Sequence, residues 1–89
     1  MPRYSIEFKR SADKALQRLP VMIQRRIVRA AEELTDDPRP SGCTKLAGDD
    51  IAWRIRVGDY RVVYEIHDNR LLVLIVRIGH RRDVYRKGE

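Results

Sequence analysis

The chain has 89 residues, 43% hydrophobic and 36% charged, with 19 Lys and Arg against 13 Asp and Glu for a net charge of +6. That length suits one domain over residues 1–89, and the basic balance favours an anionic partner: nucleic acid, an acidic protein or a membrane surface. A lone cysteine, Cys43, excludes an internal disulfide framework, and no apolar run approaches the ~18 residues that span a bilayer. Charges at Arg3, Glu7, Lys9 and Arg10 break any signal-peptide core, so a cytoplasmic location is expected.

Residues 3–8 alternate Tyr4, Ile6 and Phe8 against Ser5 and Glu7, the period of a strand. Ser11 is placed to cap a helix carrying Ala12, Ala15, Leu16 and Leu19 at helical spacing, and Pro20 interrupts it. A second helix is expected over residues 21–34, with Ile23, Ile27, Ala30, Ala31 and Leu34 on one stripe. Pro38 and Pro40 then enforce a loop. Cys43 lies in that loop, where a small half-buried filler is a better reading than a nucleophile.

The second half carries strand signal throughout. Residues 51–57 alternate, with Ile51, Trp53, Ile55 and Val57 on one face and Arg54 and Arg56 on the other. Gly58-Asp59, with Gly first, suits a two-residue type II′ hairpin turn. Residues 60–67 form the returning strand, Asp68-Asn69 turns again, and the nearly continuous apolar run 71–78 suits a central strand covered on both faces. Residues 79–87 form a basic tail. The order β-α-α-β-β-β predicts an α+β fold, a helical hairpin on one face of a mostly antiparallel four-stranded sheet.

Hairpin arithmetic places the charge. A two-residue loop sets Val57 opposite Tyr60 and Arg56 opposite Arg61, so Arg54, Arg56 and Arg61 share the face away from Trp53 and Ile55. Like charges directly opposite destabilise a sheet, and an anion on this face would relieve them. An even-length loop after His67 keeps Arg77 off this face, whereas a three-residue loop adds it. The tail contributes Arg81, Arg82, Arg86 and Lys87 against one acid, Asp83.

No Gly-rich phosphate loop, C-x-x-C pair, H-E-x-x-H or carboxylate cluster is present, so no metal or cofactor is expected. Phosphate chemistry would then rely on cationic side chains. RNA transesterification meets that condition, because the 2′-OH beside the scissile phosphate is the nucleophile.

The segments Lys45-Leu46-Ala47-Gly48, Trp53-Arg54-Ile55-Arg56-Val57-Gly58-Asp59-Tyr60-Arg61-Val62-Val63-Tyr64 and Ile78-Gly79-His80-Arg81-Arg82-Asp83-Val84-Tyr85 resemble the RelE/ParE superfamily of toxin–antitoxin toxins. The similarity covers essentially the whole chain and is nearest the RelE branch. It implies a ribosome-dependent mRNA endonuclease that cuts A-site codons. The implied partners are the ribosome with its mRNA, a cognate antitoxin with an amphipathic segment, and operator DNA only through the antitoxin complex. No membrane partner is implied.

Carried over by position, the resemblance puts Arg54 and Arg56 at the basic positions of the sheet face. Arg61 matches the arginine beginning the next strand, Arg81 the arginine after the last strand, and Tyr85 the C-terminal tyrosine. On these positions Arg61 and Arg81 are expected to stabilise the phosphorane and Arg54 and Arg56 to hold flanking phosphates, while the charge of the tail makes Arg82, Arg86 and Lys87 candidate RNA contacts. The best-studied relatives carry lysine where this chain has Arg54 and Arg56. Arginine binds charge but does not release its proton, which leaves the general base open: Tyr85 is a candidate to orient or deprotonate the 2′-OH, and His80 to act as base or as acid to the leaving 5′-oxygen. Two other readings stay open: a ParE-like inhibitor of DNA gyrase without nuclease activity, and a non-catalytic nucleic-acid-binding module.

Overall fold

In this computed structural model, which describes residues 3–80, the helices occupy the first half of the chain and most strands the second. Strand β1 (Ser5–Phe8) is followed by helices α1 (Arg10–Gln17) and α2 (Val21–Glu33). Then come β2 (Thr44–Lys45), β3 (Ala52–Val57), β4 (Tyr60–His67) and β5 (Leu72–His80). The strands form one sheet in the order β1-β5-β4-β3-β2, antiparallel except for the parallel β1–β5 pair. The architecture is the expected α+β sandwich, with five strands in place of four. The extra strand, β2, has two residues, too few to show any period, and exists through its pairing with Arg54 and Trp53.

Both helices pack on one face of the sheet. Ala12 and Leu16 of α1, with Ile27 and Ala31 of α2, meet Ile55, Val62, Tyr64, Ile66, Val73 and Ile75 in one cluster. Ile27, Val62, Val73 and Ile75 are fully enclosed. Each such aliphatic side chain contributes about 1.5–3 kcal/mol of transfer free energy, the main support of so small a body.

Ser11 does not cap α1. Lys9 holds the N-cap position, and Ser11 is the second helical residue. The chain leaves the sheet at Lys9, whose N–H donates to the Ile75 carbonyl at 2.8 Å, so the helix starts before Ser11 is reached. Pro20 takes the N-cap of α2, and the Gln24 side-chain amide donates to the Leu19 carbonyl at 2.8 Å, tying the two helices together. Ile51 also departs from expectation. It precedes β3, where the Asp49 carboxylate accepts from the N–H groups of Ile51 and Ala52 at 2.9 and 3.1 Å, and its side chain is exposed.

The β3–β4 turn is the one expected: Gly58 has φ +60°, Asp59 keeps a negative φ, and Val57 pairs with Tyr60. The β4–β5 connection is longer than Asp68-Asn69. A single 3₁₀ turn (Asp68–Arg70) leads into Leu71 in the left-handed region, and His67 pairs with Leu72 across four loop residues. This loop is tethered from two sides. The Tyr4 hydroxyl donates to the Asp68 carboxylate, and Arg39 Nη2 lies 2.9 Å from Asp68 Oδ2 while its guanidinium sits 5.4 Å from the Trp53 ring centre. Arg39, and after it Tyr4, holds the Asp68 carboxyl below its ordinary value.

One irregularity in the sheet matters for the site. Tyr64 pairs with Ile75, but Val63 pairs with Arg77, so β5 carries Val76 as an extra residue. Up to this bulge the core-facing residues of β5 are Val73 and Ile75, and beyond it the core residue is Ile78. The parity of the strand reverses at Val76.

Candidate functional site

Three of the sequence-expected residues come together on the sheet face turned away from α1 and α2. Arg56 pairs directly with Arg61, and Arg54 pairs with Val63, two residues further along β4. Partners across a ladder share a face, and so do residues two apart along a strand, which makes Arg54, Arg56 and Arg61 one group. The local reason is the two-residue Gly58-Asp59 turn, whose length fixes this register. Arg54 and Arg61 are half-buried and Arg56 is exposed.

The Arg56–Arg61 repulsion is partly relieved within the chain. Arg56 Nε donates to the Gly58 carbonyl at 3.0 Å, which draws its guanidinium towards the turn. The bulge brings a further cation: Arg77 pairs with Val63 and therefore joins the same face, opposite Arg54 across β4. The even, four-residue loop alone would have kept it away. The continuous apolar run of β5 hides such a bulge, because either parity buries an aliphatic side chain.

Charge on this face is separated along the strands. Arginines gather near the β3–β4 turn, whereas Glu65, and Glu7 across Leu74, lie towards the β4–β5 end. Glu65 Oε1 is 2.9 Å from His67 Nε2. Such a gradient steers an anion to the arginine end.

His80 is not part of the arginine group. It pairs with Tyr60 on the helix side of the sheet, edge-on, with ring centres 5.6 Å apart at 80°. Gly79, opposite Arg61, presents no side chain to the arginine face. Arg81, Arg82, Tyr85, Arg86 and Lys87 lie outside the described residues. Among the described residues no three His, Cys, Asp or Glu side chains gather to hold a metal, and no helix is long and apolar enough to cross a membrane. Cys43 packs half-buried against the core, next to Tyr64, whose hydroxyl donates to the Pro38 carbonyl at 2.7 Å. Burial, and after it Cys43, raises the Tyr64 phenol above its ordinary value.

Residues 6–85 match the family model described as "ParE toxin of type II toxin-antitoxin system, parDE". The chain belongs to the ParE toxin family. The toxin is 34% identical over 88 residues to Toxin RelG of Mycobacterium tuberculosis (strain ATCC 25618 / H37Rv), covering 94% of this chain and 98% of that one. Its fold is similar to the toxin–antitoxin complex RelBE2 of the same organism, with TM-score 0.80, 30% identity and coverage of 91% and 94%. It is equally similar, at TM-score 0.80 and 30% identity, to the archaeal RelE-RelB complex of Pyrococcus horikoshii OT3, covering 89% of this toxin and 96% of that chain. It is therefore a RelE-like toxin of a toxin–antitoxin system, within the RelE/ParE superfamily.

Proposed function

We propose that this toxin is an mRNA endonuclease that acts on codons in the ribosomal A site without a metal. The observation carrying this reading is the convergence of Arg54, Arg56 and Arg61 on one sheet face. In the proposed reaction the 2′-oxygen attacks the adjacent phosphorus and the P–O5′ bond breaks. The products are a 2′,3′-cyclic phosphate and a 5′-hydroxyl, so no water is consumed. A base removes the 2′-OH proton and an acid delivers a proton to the departing 5′-oxygen.

Arg61 and Arg81 are assigned to the charge that builds on the phosphorane, and Arg54 and Arg56 to flanking phosphates. Arg82, Arg86 and Lys87 are assigned to the RNA strand beyond them. Proton transfer falls between Tyr85 and His80. The placement of His80 beside Tyr60, on the helix side, supports Tyr85 as the base. A surface of this size holds few groups to position a substrate, so the ribosome supplies the codon geometry and free RNA is a poor substrate.

The partner in this reading is a cognate antitoxin, as in the RelBE2 and RelE-RelB complexes that the fold resembles. Val21, Met22 and Val28 expose apolar surface along α2, which suits an amphipathic antitoxin segment. Operator DNA would be met only through that complex, in the cytoplasm. The description of the matching family as ParE supports a second reading, inhibition of DNA gyrase with no RNA cleaved.

End-group analysis of RNA from programmed ribosomes tests the proposal. Wild-type toxin should leave 2′,3′-cyclic phosphate ends, and Arg61→Ala should cut about 10²-fold or more slowly, the loss expected for one lost donor to a transition-state anion. Intact mRNA together with arrested gyrase supercoiling would favour the second reading.

A further inference from the structure

We infer that Arg77 is a further RNA-contacting residue, which holds the phosphate on the β5 side of the one gripped by Arg61. The inference rests on the proposal that the arginine face binds RNA. Its basis is the bulge at Val76, which reverses the parity of β5 and sets Arg77 level with Val63. Arg54 is level with Val63 on the other side. Arg54 and Arg77 are thus mirror positions about β4, two strand spacings or about 9.6 Å apart at the backbone. Arg61, two residues along β4, is the apex of this triangle, about 8 Å from either base corner by the same spacings.

Each corner lies within one arginine side chain of its neighbours. A single strand of RNA crossing the sheet from β3 to β5 would meet Arg54, then Arg61, then Arg77, with one phosphate for each. The half-buried placement of Arg54 and Arg61 contrasts with the exposed Arg77, which stays accessible at the β5 side. Val63, 7% exposed, lies between the two base corners, so the aliphatic stems of Arg54 and Arg77 border an apolar floor.

The alternative account of the bulge is that it only keeps a cation out of the core. That account does not explain why the cation is there. Residues 72–76 of β5 are all apolar, and a neutral residue at 77 would avoid adding a like charge to the arginine end of the face, which already carries three, with Glu65 and Glu7 one row further along. Bulges commonly re-aim a side chain next to an active site, and this one delivers a guanidinium to the arginine group.

The test is fluorescence anisotropy with a short 2′-O-methyl RNA oligonucleotide, which has no free 2′-OH and cannot be cleaved, over a range of salt concentrations. Wild type, Arg77→Ala, Arg77→Lys, Arg61→Ala and Arg70→Ala are compared, each with its thermal unfolding checked. Arg70 lies in the β4–β5 loop, at the other end of β4 from Arg61, and controls for loss of one charge at a distance. Arg77→Ala should weaken binding and flatten the slope of log K against log salt by about 0.7, one single-strand phosphate contact. Arg77→Lys should keep the slope, and Arg70→Ala should leave it unchanged. An unchanged slope in Arg77→Ala while Arg61→Ala weakens binding would overturn the inference alone. If neither variant changes binding, or if the wild type does not bind, the inference fails with the premise that this face grips RNA unaided, and cleavage on programmed ribosomes decides the RNA reading separately. Equal slope changes in Arg77→Ala and Arg70→Ala would also overturn it, by showing a general field effect.

Discussion

Arg56 and Arg61 are direct cross-strand partners one step from the Gly58-Asp59 turn. Val57 and Tyr60 close that turn as a hydrogen-bonded pair, so Arg56 and Arg61 form the next, non-hydrogen-bonded pair, with Cα atoms about 4.5 Å apart. Two cationic side chains carried on directly opposite residues oppose folding and favour an anion. The Arg56–Gly58 hydrogen bond reduces the conflict without removing it.

Arg56→Thr should therefore raise stability by about 0.2–1 kcal/mol, because it removes a like-charge pair and places a good strand former in β3. Urea denaturation measures this. The same variant should weaken binding to RNA, a trade of function for stability at one position. A loss of stability would show that the repulsion is already fully relieved in the free protein.

Gly58 has φ +60°, and a Cβ built there would lie 3.4 Å from Arg26 Nη1. Gly58→Ala should cost about 1–2 kcal/mol, mainly from the strained backbone. Arg26 has a flexible end and can give way. Since this turn sets the register of Arg56 and Arg61, the variant should lose activity beyond what its lower stability explains. Chemical denaturation with a parallel cleavage assay separates the two effects.

Leu71 has φ 50° and ψ 50°, a conformation that suits asparagine or glycine better than leucine, and the residue is 37% exposed. Leu71→Asn should stabilise the toxin by about 1 kcal/mol, the strain released less a small loss of burial. Thermal and urea unfolding should both move upward. An unchanged midpoint would mean that leucine packing at the β4–β5 loop matches the strain.

The Tyr64 phenol is raised above its ordinary value of 10.0, first by burial. The folded protein keeps this proton where the unfolded chain releases it. Its contribution is therefore fully present below pH 10 and falls as pH rises from there through the folded value. Tyr64→Phe should be less stable than wild type by about 0.5–1.5 kcal/mol at pH 7, from the lost bond to Pro38. The gap should narrow above pH 10, and a pH series of urea midpoints measures it. Asp68 behaves in the opposite sense. Its depressed carboxyl stabilises above its ordinary 3.8 and loses that effect as pH falls through the folded value. The Arg39–Asp68 pair is largely exposed, so the acid effect should stay below about 1 kcal/mol.

The β3–β4 hairpin and its arginine face were legible because alternation and a Gly-first turn are local signals. The same holds for α2, where the stripe of Ile27, Ala31 and Leu34 reads directly as a buried face. Other features depend on tertiary partners. Strand β2 exists only beside β3, and the start of α1 is set by the bond from Lys9 to Ile75 rather than by Ser11. The bulge at Val76 was invisible in a run of aliphatic residues that satisfies either parity, and with it the place of Arg77. His80 was read from sequence as a candidate for proton transfer, yet the same reversal puts its side chain on the opposite face of the sheet from Arg61.

The measurement that bears most directly on the central claim is primer extension on an mRNA under translation in a cell-free bacterial system. It compares wild-type toxin with Arg61→Ala, Arg81→Ala and Tyr85→Ala. The proposed mechanism predicts cuts within A-site codons that weaken strongly in all three variants. Intact mRNA at toxin levels that arrest growth, or cuts unchanged in Arg61→Ala, would contradict it.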